Sequence, residues 1–296
     1  MKLLNIACGE RYHKHWTNID FHANSNLVKK VNILGGLPFE KDTFDVIYNS
    51  HFLEHLSPSQ AKFVLKEARR LLKEGGILRI VVPDLENLCK EYLQILEKVS
   101  INDDAKLNKK YRWISVELLD QLVRVDSGGE MGQIFNEVSN NKDKDLASYI
   151  LHRTGDELLA NDDRKTVRKI TIDKIKNKIL YFYLQSVRLL IPKNLRDLIF
   201  IRTSVGERHQ WMYDRYSLAT LLQELGFKNI QIKSYKTSGI DGFNDFYLDI
   251  KKNGSPYKGV SSIYILLPKA YFWIKHQYTI DIKQQHPISP MSYCNR

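Results

Sequence analysis

The chain has 296 residues, 43% of them hydrophobic, enough for one large domain or for a domain carrying an elaborate insertion. Three scattered cysteines, Cys8, Cys89 and Cys294, exclude a disulfide framework or a cysteine zinc site and fit a reducing compartment. The net charge of +11 is uneven: eleven Lys and Arg between Arg164 and Arg202 face only Asp173 and Asp197, which suits an anionic partner for that region.

Met1-Lys2 leads only into the short apolar Leu3–Ile6, not the basic region and long apolar stretch of a signal peptide, and no stretch offers the roughly 18 uncharged apolar residues of a spanning helix. The expectation is a cytoplasmic protein. Leu3–Ile6 reads as a first strand, followed by Ala7-Cys8-Gly9 and a second strand over 16–21. FDVIY (44–48) and ILRIVV (77–82) are continuous apolar runs, the pattern of strands buried on both faces of a parallel sheet. Between them Ser57, Pro58 and Gln60 form a capping box with proline at the first helical position. Ala61, Val64, Leu65, Ala68, Leu71 and Leu72 then make one apolar helical face, and Gly75-Gly76 is expected to end it. Pro83-Asp84 starts a further helix to about Val99.

From 100 to about 204 the alternation gives way to helical periodicity broken by polar loops such as NNKDKD. It then resumes with a helix over 216–225 and strands over 227–235 and 261–269. The expected fold is α/β: a doubly wound, Rossmann-like sheet interrupted by a helical insertion. The division is 1–99 and 205–270 for the sheet domain, 100–204 for the cap, and 271–296 for a C-terminal tail.

In such a sheet, ligands bind beyond the carboxyl ends of the strands, near the point where strand order reverses. Ala7-Cys8-Gly9 follows the first strand, Asp20 the second, and Asn49–His55 follows FDVIY. An acid after the second strand suits ribose hydroxyls. A pyrophosphate, however, needs a glycine-rich turn opening a full helix. Gly9 and Asp20 lie too close for such a helix plus a strand, since a whole crossover takes at least about 10–12 residues. A nucleoside without phosphates fits better, and S-adenosylmethionine is one.

Six stretches, LNIACG, WTNID, LPFEKDTFDVIYNSHFLEHL, LLKEGGILRIVVPDLE, ELLDQLVR with SGGEM, and GERHQWMYD, carry a resemblance. Together they resemble the class I S-adenosylmethionine-dependent methyltransferases, specifically a bacterial type-11 group associated with cell-surface glycan genes. The likeness is good over 1–98 and 204–270 and patchy between. It implies that Ala7, Cys8 and Gly9 approach the methionine part of the cofactor and that Asp20 holds the ribose. It further implies that Asn32 and Ile33 meet the adenine and that Asn49 and Ser50 line the floor under the sulfonium. Two departures stand out: Ala7 replaces the usual glycine, and Asn32 the usual aspartate.

SHFLEHL contains H-x-x-E-H, also the signature of inverted zinc peptidases, with His51 and His55 as ligands and Glu54 as base. That chemistry needs both histidines on one helical face, whereas the predicted helix begins only at Ser57, so no metal ligands are expected here. Divalent ions do assist some O-methyltransferases through a related Glu/His cluster. For methyl transfer to a hydroxyl, His51, Glu54 and His55 are instead candidate bases at the rim of the cofactor pocket, His55 slightly favoured. In GERHQWMYD, Asp214 is expected to cap the next helix and His209 and Tyr213 to face the acceptor. The 164–202 segment, with Ile172, Ile175, Ile179 and Phe182 at helical spacing, suits an anionic membrane surface, a solvated cap or, as an RNA methyltransferase, a nucleic acid. The resemblance implies a saccharide or lipid-linked acceptor.

Overall fold

The computed structural model describes residues 1–23, 25–159 and 206–269, with scattered positions between 179 and 195. The basic 164–202 segment, apart from those scattered positions, and the 271–296 tail with Cys294 lie outside the described residues. Seven strands form one sheet: β1 (Leu3–Ile6), β2 (Thr17–Asp20), β3 (Val28–Lys30), β4 (Phe44–Ser50), β5 (Leu72–Pro83), β6 (Gln231–Lys233) and β7 (Ser262–Pro268). Their spatial order is β3-β2-β1-β4-β5-β7-β6. β1 to β5 run parallel, and β7 enters antiparallel between β5 and β6. Order therefore reverses between β1 and β4, the crevice where a ligand is expected.

Helix α1 (Pro58–Leu71) begins as the sequence predicts. Ser57 Oγ accepts from the Gln60 amide and Gln60 returns its side chain to the Ser57 amide. Such a cap contributes about 1 kcal/mol. Its apolar face buries Ala61, Val64, Leu65 and Ala68 against the sheet, and Leu218 and Leu222 of α6 (Arg215–Glu224) join the same core. The other face of the sheet is covered differently. Leu3, Trp16, Val46, Tyr48 and Val81 pack against Ile240, Phe243 and Leu248, from an irregular segment with one 3-10 turn. The buried Arg79–Asp249 ion pair ties that segment to β5.

The glycine pair has a different role from the one expected. α1 stops at Leu71 and the chain enters β5 at once, so Gly75-Gly76 lies within the strand. Phe44 faces Leu72 but Val46 already faces Ile77, so the extra residues bulge there. A Cβ at Gly76 would stand 2.9 Å from the Lys73 carbonyl oxygen, which is why the bulge takes glycine. β3 went unpredicted because three residues carry too little alternation to read. In 227–235 only Gln231–Lys233 is strand.

Helices α2 (Leu85–Ile101), α3 (Ala105–Val123), α4 (Gly129–Asn141) and α5 (Lys144–Thr154) follow β5. Asp84 caps α2 by accepting from the amides of Glu86 and Asn87. α3, α4 and α5 share a separate core of Trp113, Ile134, Val138 and Ile150. The cap is pinned to the sheet where α5 ends: Ser261 N donates to the Arg153 carbonyl and Val260 N to that of His152.

Candidate active site

After β1 the chain turns at Ala7 and Gly9, each at φ +53°. Positive φ is natural for Gly9 and strained for Ala7, whose methyl sits where a glycine would relax the turn. The turn is braced from β2: Gly9 N donates to Asp20 Oδ2 at 2.9 Å and His22 N to Oδ1 at 3.1 Å. A carboxylate has about four lone-pair positions, so Asp20 retains capacity for hydroxyl donors. Ala7, Cys8, Gly9 and Ser50 line a cavity of about 150 Å3 at the switch point. Burial, with Asp20 nearby, pushes the Cys8 thiol up to about 12, so Cys8 is a neutral wall there.

Asn32, Ile33 and Asn49 are not among the residues lining this cavity. Ile33 is fully buried in the core beneath α1, Asn32 precedes its 3-10 turn in an exposed position, and Asn49 is buried with its Oδ1 unpartnered. The sequence reading missed Arg11, Tyr257 and Lys258, which wall the same cavity. The Arg11 guanidinium lies 3.4 Å above the Tyr257 ring, a cation–π contact bridging the first turn to the segment before β7. No local signal marks Tyr257 or Lys258. They arrive because β7 is antiparallel, which puts its beginning at the carboxyl ends of β1, β4 and β5.

A larger cavity of about 380 Å3 opens between sheet and cap, with His51, His55, Glu117, Arg124, His209 and Lys258 in its wall. His51 and Lys258 line both cavities. His51 has φ +50°, directly after β4, its amide donates to the Val81 carbonyl, and its Nε2 lies 2.9 Å from Ser262 Oγ. Its Nδ1 is 3.4 Å from Glu54 Oε1. Glu54 belongs to a 3-10 turn, Leu53–His55, so the two histidines of H-x-x-E-H do not share an α-helical face.

Glu54 is fully buried, and neither oxygen has a hydrogen-bond partner beyond its own backbone. Burial raises its carboxyl to about 8. Burial likewise holds His51 well below its ordinary range, lowers His55, and takes His209 down to about 3, with the neighbouring His55 adding to the last shift. His55 Nδ1 meets the Arg208 carbonyl at 2.8 Å, and its ring packs edge-on to His209 at 5.0 Å. The structure thus brings His209, but not Tyr213, to the wall of the larger cavity. Tyr213 is buried in the sheet core beside Glu54, its hydroxyl unpartnered and pushed up to about 12 by burial. Its backbone pairs with Asp84, and Asp214 caps α6 as predicted.

Comparison with known proteins agrees with this geometry. Residues 9–80 match the family described as a methyltransferase domain. The strand order with β7 antiparallel, the turn braced by Asp20 and this match point the same way: residues 9–80 carry a methyltransferase domain, which implies S-adenosylmethionine as the cofactor. No curated protein matches the chain. Among solved structures, a SAM-dependent methyltransferase from Archaeoglobus fulgidus is 12% identical over 90% of this chain and 86% of its own, with a TM-score of 0.35. A Thermotoga maritima protein, described as a SAM-dependent methyltransferase and possible histamine N-methyltransferase, is 13% identical over 90% of this chain and 82% of its own, TM-score 0.36. The cyclase SpnF aligns at 20% identity over 27% of this chain and only 38% of its own, TM-score 0.23. These distant likenesses say nothing of the acceptor.

Proposed function

We infer that the protein methylates a hydroxyl of a saccharide, free or on a lipid carrier, in the larger cavity. The observation that carries this reading is the shared wall: His51 and Lys258 border both the small cavity at Gly9 and the larger one under the cap. A methyl group leaving the sulfonium beyond β1 and β4 then meets an acceptor held by the cap. In-line transfer needs that alignment above all. The larger cavity mixes hydrogen-bonding and charged groups, including Glu117, Gln121, Arg124 and Asp156, a lining suited to a polyhydroxyl acceptor.

As the carbon–sulfur bond breaks, its electron pair stays on sulfur; the new carbon–oxygen bond forms and the acceptor proton passes to His51. Position favours His51 over His55, because His51 borders both cavities whereas His55 lines only the larger one. Glu54 Oε1, 3.4 Å from Nδ1, helps hold the orientation of the His51 ring. A peripheral contact of 164–202 with anionic lipid suits a lipid-linked acceptor, and rests on charge alone.

The test is incubation with S-adenosylmethionine and panels of nucleotide sugars, lipid-linked saccharides and RNA, with products resolved by mass. A saccharide heavier by one methylene is the expected product; methylated RNA alone refutes the reading. His51→Asn should slow turnover at least about tenfold and weaken cofactor binding much less than that.

A further inference from the structure

We propose that Glu54, His55 and His209 form a binding site for a divalent first-row transition-metal ion, opening onto the larger cavity. One donor atom from each residue lies within 4.8 Å of the others. Donors that hold a common ion at about 2.1 Å stand roughly 3–4.2 Å apart. The 3.9 Å between His55 Nε2 and Glu54 Oε1 already falls in that range. The cluster joins the turn after β4 to a segment more than 150 residues later, and H-x-x-E-H alone does not contain it.

Three further observations point to a ligand. First, the fully buried Glu54 carboxyl bonds no other residue's polar group, and besides protonation a coordinated cation is one of few things that compensates such a group. Second, the Arg208 carbonyl accepts from His55 Nδ1, which fixes the tautomer and leaves the Nε2 lone pair facing Glu54. A carbonyl behind a ligating imidazole is the usual outer support of a metal site. Third, the two segments are strapped together independently of any ion. Gln210 N and Trp211 N donate to the Glu54 carbonyl at 2.7 and 3.2 Å, Gln210 Nε2 donates to that of His55, and His209 N to that of Gln121. The donors are therefore held near their positions before binding.

Two imidazoles and one carboxylate suit zinc, cobalt, iron or manganese better than magnesium or calcium, which prefer an all-oxygen shell. Three protein ligands leave coordination positions open, and both His55 and His209 line the larger cavity. The Lys258 ammonium shares that cavity, so the ion is held by ligation and not by a general negative field. The site itself stands apart from the methyl-transfer reading. Its role, polarising the acceptor hydroxyl so that His51 takes the proton more readily, rests on that reading.

The experiment titrates chelator-treated full-length protein with Co2+ and follows visible d–d absorption, with Zn2+ as competitor. The wild type is expected to saturate near one equivalent and to lose the band to zinc. Glu54→Gln, which keeps the side chain's size, and His209→Asn should each weaken Co2+ at least about tenfold, in line with or beyond losses seen for outer-shell changes. Asp156→Asn, in the same cavity, should leave affinity unchanged. No band in the wild type, or a band that persists in both ligand variants, overturns the site. Thermal shift with S-adenosylmethionine, measured on the same samples, reports separately on the cofactor cavity.

Discussion

Removing the Asp249 carboxylate should destabilise the whole domain, though it lies outside both cavities. Arg79 on β5 has no exposure, and its Nε donates to Asp249 Oδ2 at 2.7 Å; one guanidinium NH2 also reaches the Ser234 carbonyl at 2.9 Å. Tyr48 OH donates to the other Asp249 oxygen at 2.6 Å. Asp249→Ala strands a buried guanidinium and a buried phenol at once. Breaking a buried pair in this way costs about 3–5 kcal/mol. At roughly 2–4 °C per kcal/mol for a domain this large, the melting temperature should fall by about 6–20 °C. Urea unfolding followed by circular dichroism measures the loss directly. Because the cost belongs to the unpaired charge, Arg79→Met with Asp249→Leu should recover most of it. A single-variant loss below about 1 kcal/mol, or a double variant as unstable as the single, refutes the argument. The neighbouring Leu248 walls the cofactor cavity, so Asp249→Ala should weaken cofactor binding as well.

Asp20→Ala removes the brace on Gly9 and the ribose acceptor together. Cofactor at 100 times its Kd stabilises the wild type by about 2.7 kcal/mol, and most of that thermal shift should vanish in the variant; a full shift refutes the ribose role. At Gly259, φ is +66° and a Cβ would overlap the Arg153 carbonyl, so Gly259→Ala must part the α5 end from the segment before β7. The expected cost exceeds about 2 kcal/mol in urea melts, combining strain at positive φ with lost backbone hydrogen bonds; a change under about 0.5 kcal/mol would show that this junction yields easily. Because burial raises the Cys8 thiol to about 12, its thiolate fraction at pH 8 is about one in ten thousand. Iodoacetamide should label Cys8 slowly in the folded protein, faster by about tenfold per pH unit, and readily in urea; rapid labelling at pH 7 contradicts the assignment.

The chain by itself determined whatever depends on neighbours within a few residues. The caps at Ser57, Asp84 and Asp214 were legible because each is a side chain bonding an amide two or three positions on. The buried strands around Ile47 and Ile80 announced themselves as apolar runs, and the short span from Gly9 to Asp20 limited the ligand to a nucleoside without a pyrophosphate. The same local reading took Gly75-Gly76 for a helix end, because a glycine at positive φ looks alike in a C-cap and in a bulge until its strand partner is known. Only the tertiary structure decided what surrounds the reacting groups. Lys258 and Ser262 reach His51 because β7 runs against the other strands, and strand direction leaves no mark in residue spacing. His209 reaches Glu54 and His55 across a cap whose length could have placed it anywhere along the sheet edge. Pairings so distant in sequence are set by topology and by the burial of the whole core.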